Sequence, residues 1–185
     1  MRYYRRSWIP PFLRVLLIES GSRSLVEGIL PTLYRDYGED VSIDVVTCYE
    51  GAPRGFNLDA GKVFWVTDYG PEERHRLLEE LLARKHTIVG VVCSAEPIMT
   101  KWKWWLVYKI PAKVFVLNEN GDYFWVHLAN WRIVLHFALF RAGLTGAGAI
   151  PTLARLALFP FTLGYLLWFA GWVHLKRRLR MMVAS

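Results

Sequence analysis

The chain has 185 residues, 54% of them hydrophobic, and its mean hydropathy is +0.20. Its 23 lysines and arginines against 16 acids give a formal charge of +7, concentrated beside apolar sequence at both ends, which suits anionic lipid headgroups. No nucleic-acid-binding motif accompanies that charge, and two cysteines are too few for a disulfide framework or a metal-ligand cluster.

Residues 1–11 form a basic arm with Arg2, Arg5 and Arg6. No apolar run precedes the first strand-like segment, so the arm does not read as a signal peptide. The globular part is therefore expected in the cytoplasm. Residues 12–127 then alternate strand and helix patterns. Phe12–Glu19 is a nearly continuous apolar run, as a strand buried on both faces should be. A short polar loop, Ser20, Gly21, Ser22, Arg23 and Ser24, leads into a helical pattern from Leu25 to Tyr37. Val41–Tyr49 is a second strand, Glu50–Gly61 a surface loop, and Lys62–Thr67 a third strand. Asp68 before Pro71, Glu72 and Glu73 reads as a helix start with acids in its first turn; Leu77, Leu78, Leu81 and Leu82 give that helix an apolar face.

Thr87–Ser94 is a fourth strand, Glu96 and Pro97 open a tryptophan-rich helix over Ile98–Ile110, and Ala112–Leu117 is a fifth strand ending in a turn at Asn120-Gly121. Alternating strands and helices, with strands apolar throughout, predict an α/β domain: a Rossmann-like parallel sheet of about five strands with helices on both faces. Residues 128–150 read as an amphipathic helix lying in a membrane interface, because Arg132 and Arg141 are costly in mid-bilayer. Residues 151–185 read as a membrane helix with a basic tail.

In such a sheet ligands bind beyond the carboxyl ends of the strands, where strand order reverses. Ser20–Ser24, at a helix N-terminus, is the candidate anion or ligand loop, although one glycine falls short of a dinucleotide or P-loop fingerprint. A plain small-residue loop capping a helix is the competing reading. The same segment carries a family resemblance. Val15–Glu19, the loop of matching length, Leu30-Pro31-Thr32-Leu33 and Ile43-Asp44 resemble the opening of the ADP-heptose:lipopolysaccharide heptosyltransferases. These are inverting glycosyltransferases of the GT-B fold, and the likeness covers roughly residues 13–126, their acceptor-side half. The resemblance implies a catalytic aspartate where this chain has Leu25, and leucine accepts no proton. The family's strand-end arginine falls on Glu19, and its donor-binding half has no counterpart in the sequence. An enzyme acting alone is therefore not expected; Glu19 or Glu96 is the candidate for a displaced acid/base.

Cys48 and Cys93 end strands two and four, two strand spacings (about 9–10 Å) apart; that is too far for a disulfide, and both read as buried structural thiols. Trp102, Trp104 and Trp105 are interleaved with Lys101 and Lys103, a pattern shared by a headgroup belt, a protein contact and ordinary packing on the sheet. His136 and His174 lie in apolar helices, where a polar residue at the interface is the plainer reading than a pigment ligand.

Leu156–Leu175 carries no formal charge, contains Trp168 and Trp172, and is closed by Lys176, Arg177, Arg178 and Arg180. Twenty helical residues reach roughly 30 Å, about the hydrocarbon thickness of a bilayer. Basic residues on both sides and Pro160 within favour a bent re-entrant or interfacial helix over a hairpin with residues 133–150 or a single span. The expectation is thus a non-catalytic accessory or scaffolding subunit on the cytoplasmic face of the inner (plasma) membrane. It would contact anionic lipids and other membrane-complex subunits, and need neither nucleic acid, cofactor nor metal. The alternative is the acceptor-side component of a glycosyltransferase whose donor half is on another chain.

Overall fold

The computed structural model describes residues 4, 5, 8–38, 40–94, 96, 98–146 and 149–183, with side chains for all of these but 71, 175 and 177–183. Arg2 and Arg6, and the side chains of Arg177, Arg178 and Arg180, lie outside that description. The chain divides into two compact units, Met1–Val134 and Leu135–Ser185.

The first unit is an α/β sheet domain. Its strands are β1 (Arg14–Ile18), β2 (Ser42–Thr47), β3 (Val63–Trp65), β4 (Ile88–Cys93), β5 (Lys113–Asn118) and β6 (Tyr123–Trp125), in the spatial order β3-β2-β1-β4-β5-β6. The first five are parallel and pair as the apolar runs require, with Val15 opposite both Ile43 and Ile88. Two points differ from the sequence expectation. The sheet has six strands, and the sixth is antiparallel to the fifth, pairing Phe115 with Trp125 and Leu117 with Tyr123. The cause is the turn itself: Asn118 Oδ1 accepts the N–H groups of Asn120 (3.0 Å) and Asp122 (2.9 Å), and Gly121 takes φ +83°. That geometry folds the chain straight back instead of into a crossover.

Helices α1 (Arg23–Tyr37), α2 (Arg74–Ala83) and α3 (Thr100–Lys109) cover the sheet. Alternation along the strands sends Val15, Leu17, Ile43, Val45, Ile88, Val92, Phe115 and Leu117 to one face, where they pack with Val26, Leu30 and Leu33 of α1. The intervening residues Leu16, Ile18, Val46, Val89, Val91, Val114 and Val116 are equally buried and so belong to the opposite face. There α2 contributes Leu77, Leu78 and Leu81, and α3 contributes Leu106 and Val107. Helix α2 starts six residues later than the position of Asp68 suggests. Two single 3-10 turns, Val66–Asp68 and Pro71–Glu73, intervene, and Glu73 Oε2 accepts the Gly70 N–H at 3.2 Å.

Helix α4 (Trp131–Arg141) buries none of its side chains. Its exposed Trp131 and Leu135 lie on one side and Ile133 and Phe140 on the other, so its apolar residues do not form one stripe. Helix α5 (Ala149–Val183) is a single helix of 35 residues that continues through Pro160. Thr162 Oγ1 donates to the Leu158 carbonyl at 3.1 Å close to the position where proline withholds a backbone donor.

Candidate functional site

The strand order reverses between β1 and β4, and the residues leaving their carboxyl ends build the site. After Ile18 the chain turns with Glu19 N–H donating to the Val46 carbonyl (2.9 Å) and Ser20 Oγ to the Val92 carbonyl (2.6 Å). Gly21 is fixed by proximity: a Cβ there would come within 2.6 Å of Ser94 Oγ and 2.8 Å of a Val92 methyl. Glu19, Ser20 and Thr47 have no exposed surface, and Ser94 has almost none. Ser94 Oγ is buried without a hydrogen-bond partner.

Arg23, in the first turn of α1, closes this cluster. Its Nε and Nη2 donate to the two Glu19 oxygens at 3.2 and 3.4 Å, its Nη1 to the Glu50 carbonyl at 2.6 Å, and Nη2 also to the Gly51 carbonyl at 3.0 Å. The guanidinium lies 5.1 Å from the centre of the Tyr49 ring, and Tyr49 Oη donates to the Gly21 carbonyl at 3.0 Å. Ser22 and Ser24 share a hydrogen bond at 2.8 Å, and neither side chain caps the helix. The candidate loop is therefore bound to the β2 end by the chain's own side chains, with a buried carboxylate directly behind it.

Burial raises the Cys48 thiol above its ordinary value, and the Glu19 charge adds to that. Burial likewise raises the Tyr49 phenol, helped by Glu96, Cys48 and Glu19 and opposed by Arg23. A thiol and a phenol held protonated near neutral pH are poor nucleophiles and poor bases. Glu96 is exposed and acts on Tyr49 through its charge alone. Leu25, at the position where the resemblance places an aspartate, packs against the core beneath α1. Neither Cys48 nor Cys93 is in a disulfide; Cys93 is buried as expected, but Cys48 is only half-buried, because the chain has already left β2 for the loop.

A second polar cluster, unforeseen from the sequence, lies at the opposite edge of the sheet. Asp44, 1% exposed in mid-β2, accepts from Lys62 N–H (2.8 Å), Arg84 Nη2 (2.8 Å), Arg84 Nε and His86 (Nε2 to Oδ2, 2.7 Å). Burial alone would raise this carboxyl, but the bonds from His86, Arg84 and Lys62 together hold it below the usual carboxylate range. Arg14 Nη1 donates to the Arg84 carbonyl at 3.0 Å. The cluster ties β1, β2, the end of α2 and the entry to β4 together. An aspartate inside the apolar run SIDVVT was its signal in the sequence, since a mid-strand charge must find partners.

Among the described residues no group of three or more His, Cys, Asp or Glu side chains is placed to hold a metal ion. In the second unit every described side chain from Leu153 to His174 is exposed. Ala149–His174, 26 residues, is long and apolar enough to cross a membrane, and none of it is buried within the protein. Trp168 and Trp172 stack at 6.4 Å, and Tyr165 and Phe169 at 6.3 Å, on this apolar surface. Comparisons with protein-family models, curated proteins and solved structures found no match to this chain.

Proposed function

We propose that this protein is a non-catalytic, membrane-anchored accessory or scaffolding subunit of a larger membrane complex, with its Rossmann-like domain on the cytoplasmic face. The observation that carries the reading is the pairing of two features in one chain. One is a helix apolar on all sides and unburied by its own protein, a combination that requires lipid or another chain around it. The other is a strand-end crevice occupied from within, where Glu19 is fully buried and its carboxylate is engaged by Arg23. A general base has to reach the proton it abstracts, and Glu19 has no open side from which a hydroxyl approaches.

On this reading the domain is a half GT-B fold without the family's acid/base, and the strand order β3-β2-β1-β4-β5-β6 supports its Rossmann-like part. Placement on the cytoplasmic face rests on the basic residues on both sides of the apolar stretch, Arg132, Arg141 and Arg155 before it and Lys176 to Arg180 after it. Anionic headgroups and neighbouring subunits are the partners this implies. Activity separates it from the alternative, an acceptor-side glycosyltransferase component. Membranes containing the protein are assayed for sugar transfer from nucleotide-sugars, with wild type, Glu19→Gln and Glu96→Gln compared. The proposal expects no difference among the three; transfer that depends on the protein and is abolished by either substitution overturns it.

A further inference from the structure

Helix α3 carries a surface that the sheet does not use. Lys103, Leu106, Val107 and the following Ile110 are buried, so the helical period turns Lys101, Trp104 and Tyr108 outward in one stripe. Trp104 is 46% and Tyr108 74% exposed, and Lys101 and Lys109 are exposed with them. The stripe is braced from behind. Trp102 and Trp105 are half-buried and meet edge to face at 5.9 Å; Arg74 of α2 lies 5.3 Å from the Trp102 ring and His75 6.1 Å from that of Trp105. No acid occurs in the helix, whose sequence TKWKWWLVYK holds three lysines.

Two large rings with polar tips, set among cations, have the composition of a headgroup belt. The ring bodies enter the acyl boundary, the N–H and O–H groups stay wet, and lysines meet anionic lipid. A protein partner would select differently, because interface cores are depleted in lysine. We infer that the outward stripe of α3, Lys101, Trp104 and Tyr108 with Lys109, is a second membrane-contact site that seats the α/β unit on an anionic bilayer surface. This inference rests on the membrane reading of α5.

The test uses the full chain with Cys48 and Cys93 replaced by serine, in vesicles of phosphatidylcholine containing phosphatidylglycerol. Single spin labels are placed at Tyr108→Cys, at Arg35→Cys on the α1 face, and at Gly164→Cys in α5, and relaxation by oxygen and by a water-soluble nickel chelate is compared. The expected result is a label at 108 with the oxygen-rich, nickel-poor signature of lipid, as at 164, while the label at 35 stays in water. Adding Lys101→Gln then lowers the ratio of lipid-seated to free label at 108 about fivefold, the equivalent of one surface charge. A label at 108 as nickel-accessible as at 35, with 164 in lipid, overturns the second contact and leaves the anchor standing. Protection at 108 from both reagents means a protein covers the stripe, which also overturns it. A nickel-accessible label at 164 removes the membrane reading and this inference with it.

Discussion

Arg23 does more for the strand-end cluster than any other side chain. It satisfies both oxygens of a carboxylate with no exposed surface and two backbone carbonyls of the next loop. Removing one partner of a buried pair strands the other, whereas replacing both leaves nothing uncompensated. Arg23→Ala is therefore expected to destabilise the domain by about 3 kcal/mol. The double variant Glu19→Leu/Arg23→Met should recover most of that loss, and urea unfolding of the two checks it. Equal losses in both would mean that the pair is not what holds the loop.

Asp44 makes a parallel case with a pH signature. Its folded-state carboxyl lies below the ordinary value, so its contribution is fully present above about pH 5, where the unfolded carboxyl is already ionised. The contribution is lost as pH falls through the lower, folded value. Asp44→Asn should cost about 2–4 kcal/mol at neutral pH and flatten the acid limb of a melting-temperature profile between pH 5 and pH 2. An unchanged acid limb would exclude Asp44 as its source. Sequence reading reached neither arrangement in full. The sequence marks Arg23 as part of a candidate ligand loop and Glu19 as a candidate acid/base, and the structure pairs the two with each other. Their mutual pairing depends on the backbone turn at Gly21, which a spacing pattern does not reveal. Arg84 and His86 lie forty and more positions from Asp44, and only the parallel register of β1, β2 and β4 brings them together.

Among the elements, the strands were the most legible. A parallel strand buried on both faces is apolar without interruption, and all five such runs became strands. The sixth leaves little signal in the sequence, because Tyr-Phe-Trp is three residues long and its edge position leaves it half-exposed. Asn120-Gly121 marks the turn that creates it, but a turn alone does not show that a strand follows. Asp68 marks a helix start in the sequence, but it ends one 3-10 turn; a second, Pro71–Glu73, is closed by Glu73 on the Gly70 N–H before α2 begins at Arg74. Helix α5 was legible from composition alone. It runs on through Pro160, as one apolar stretch implies, since proline weakens a helix without obliging it to break. A charge in the middle of its apolar stretch tests the assignment. Leu166→Arg should cost about 2.5–3.5 kcal/mol of insertion and move the protein from the carbonate-resistant membrane fraction to the supernatant. Retention in the pellet would mean that something other than α5 holds the chain there.

The whole molecule joins a mostly parallel α/β sheet domain to a helix whose surface the protein itself leaves uncovered. At the strand ends the Glu19 carboxylate is enclosed, burial raises the Cys48 thiol and the Tyr49 phenol, the position of the expected aspartate is an apolar packing residue, and Glu96 is the exposed carboxylate. What the chain offers outwardly is apolar and basic surface, and such surface is explained by what it meets. On the proposed reading, this protein's function lies in where it holds its domain and what it joins. The direct measurement is the mass and composition of the particle obtained when the full chain is extracted from its native membrane in mild detergent. The prediction is a defined assembly, larger than a detergent-bound monomer, with other membrane subunits in fixed ratio and no sugar-transfer activity. A monodisperse monomer, or a pair with a nucleotide-sugar-binding chain that transfers sugar, would contradict it.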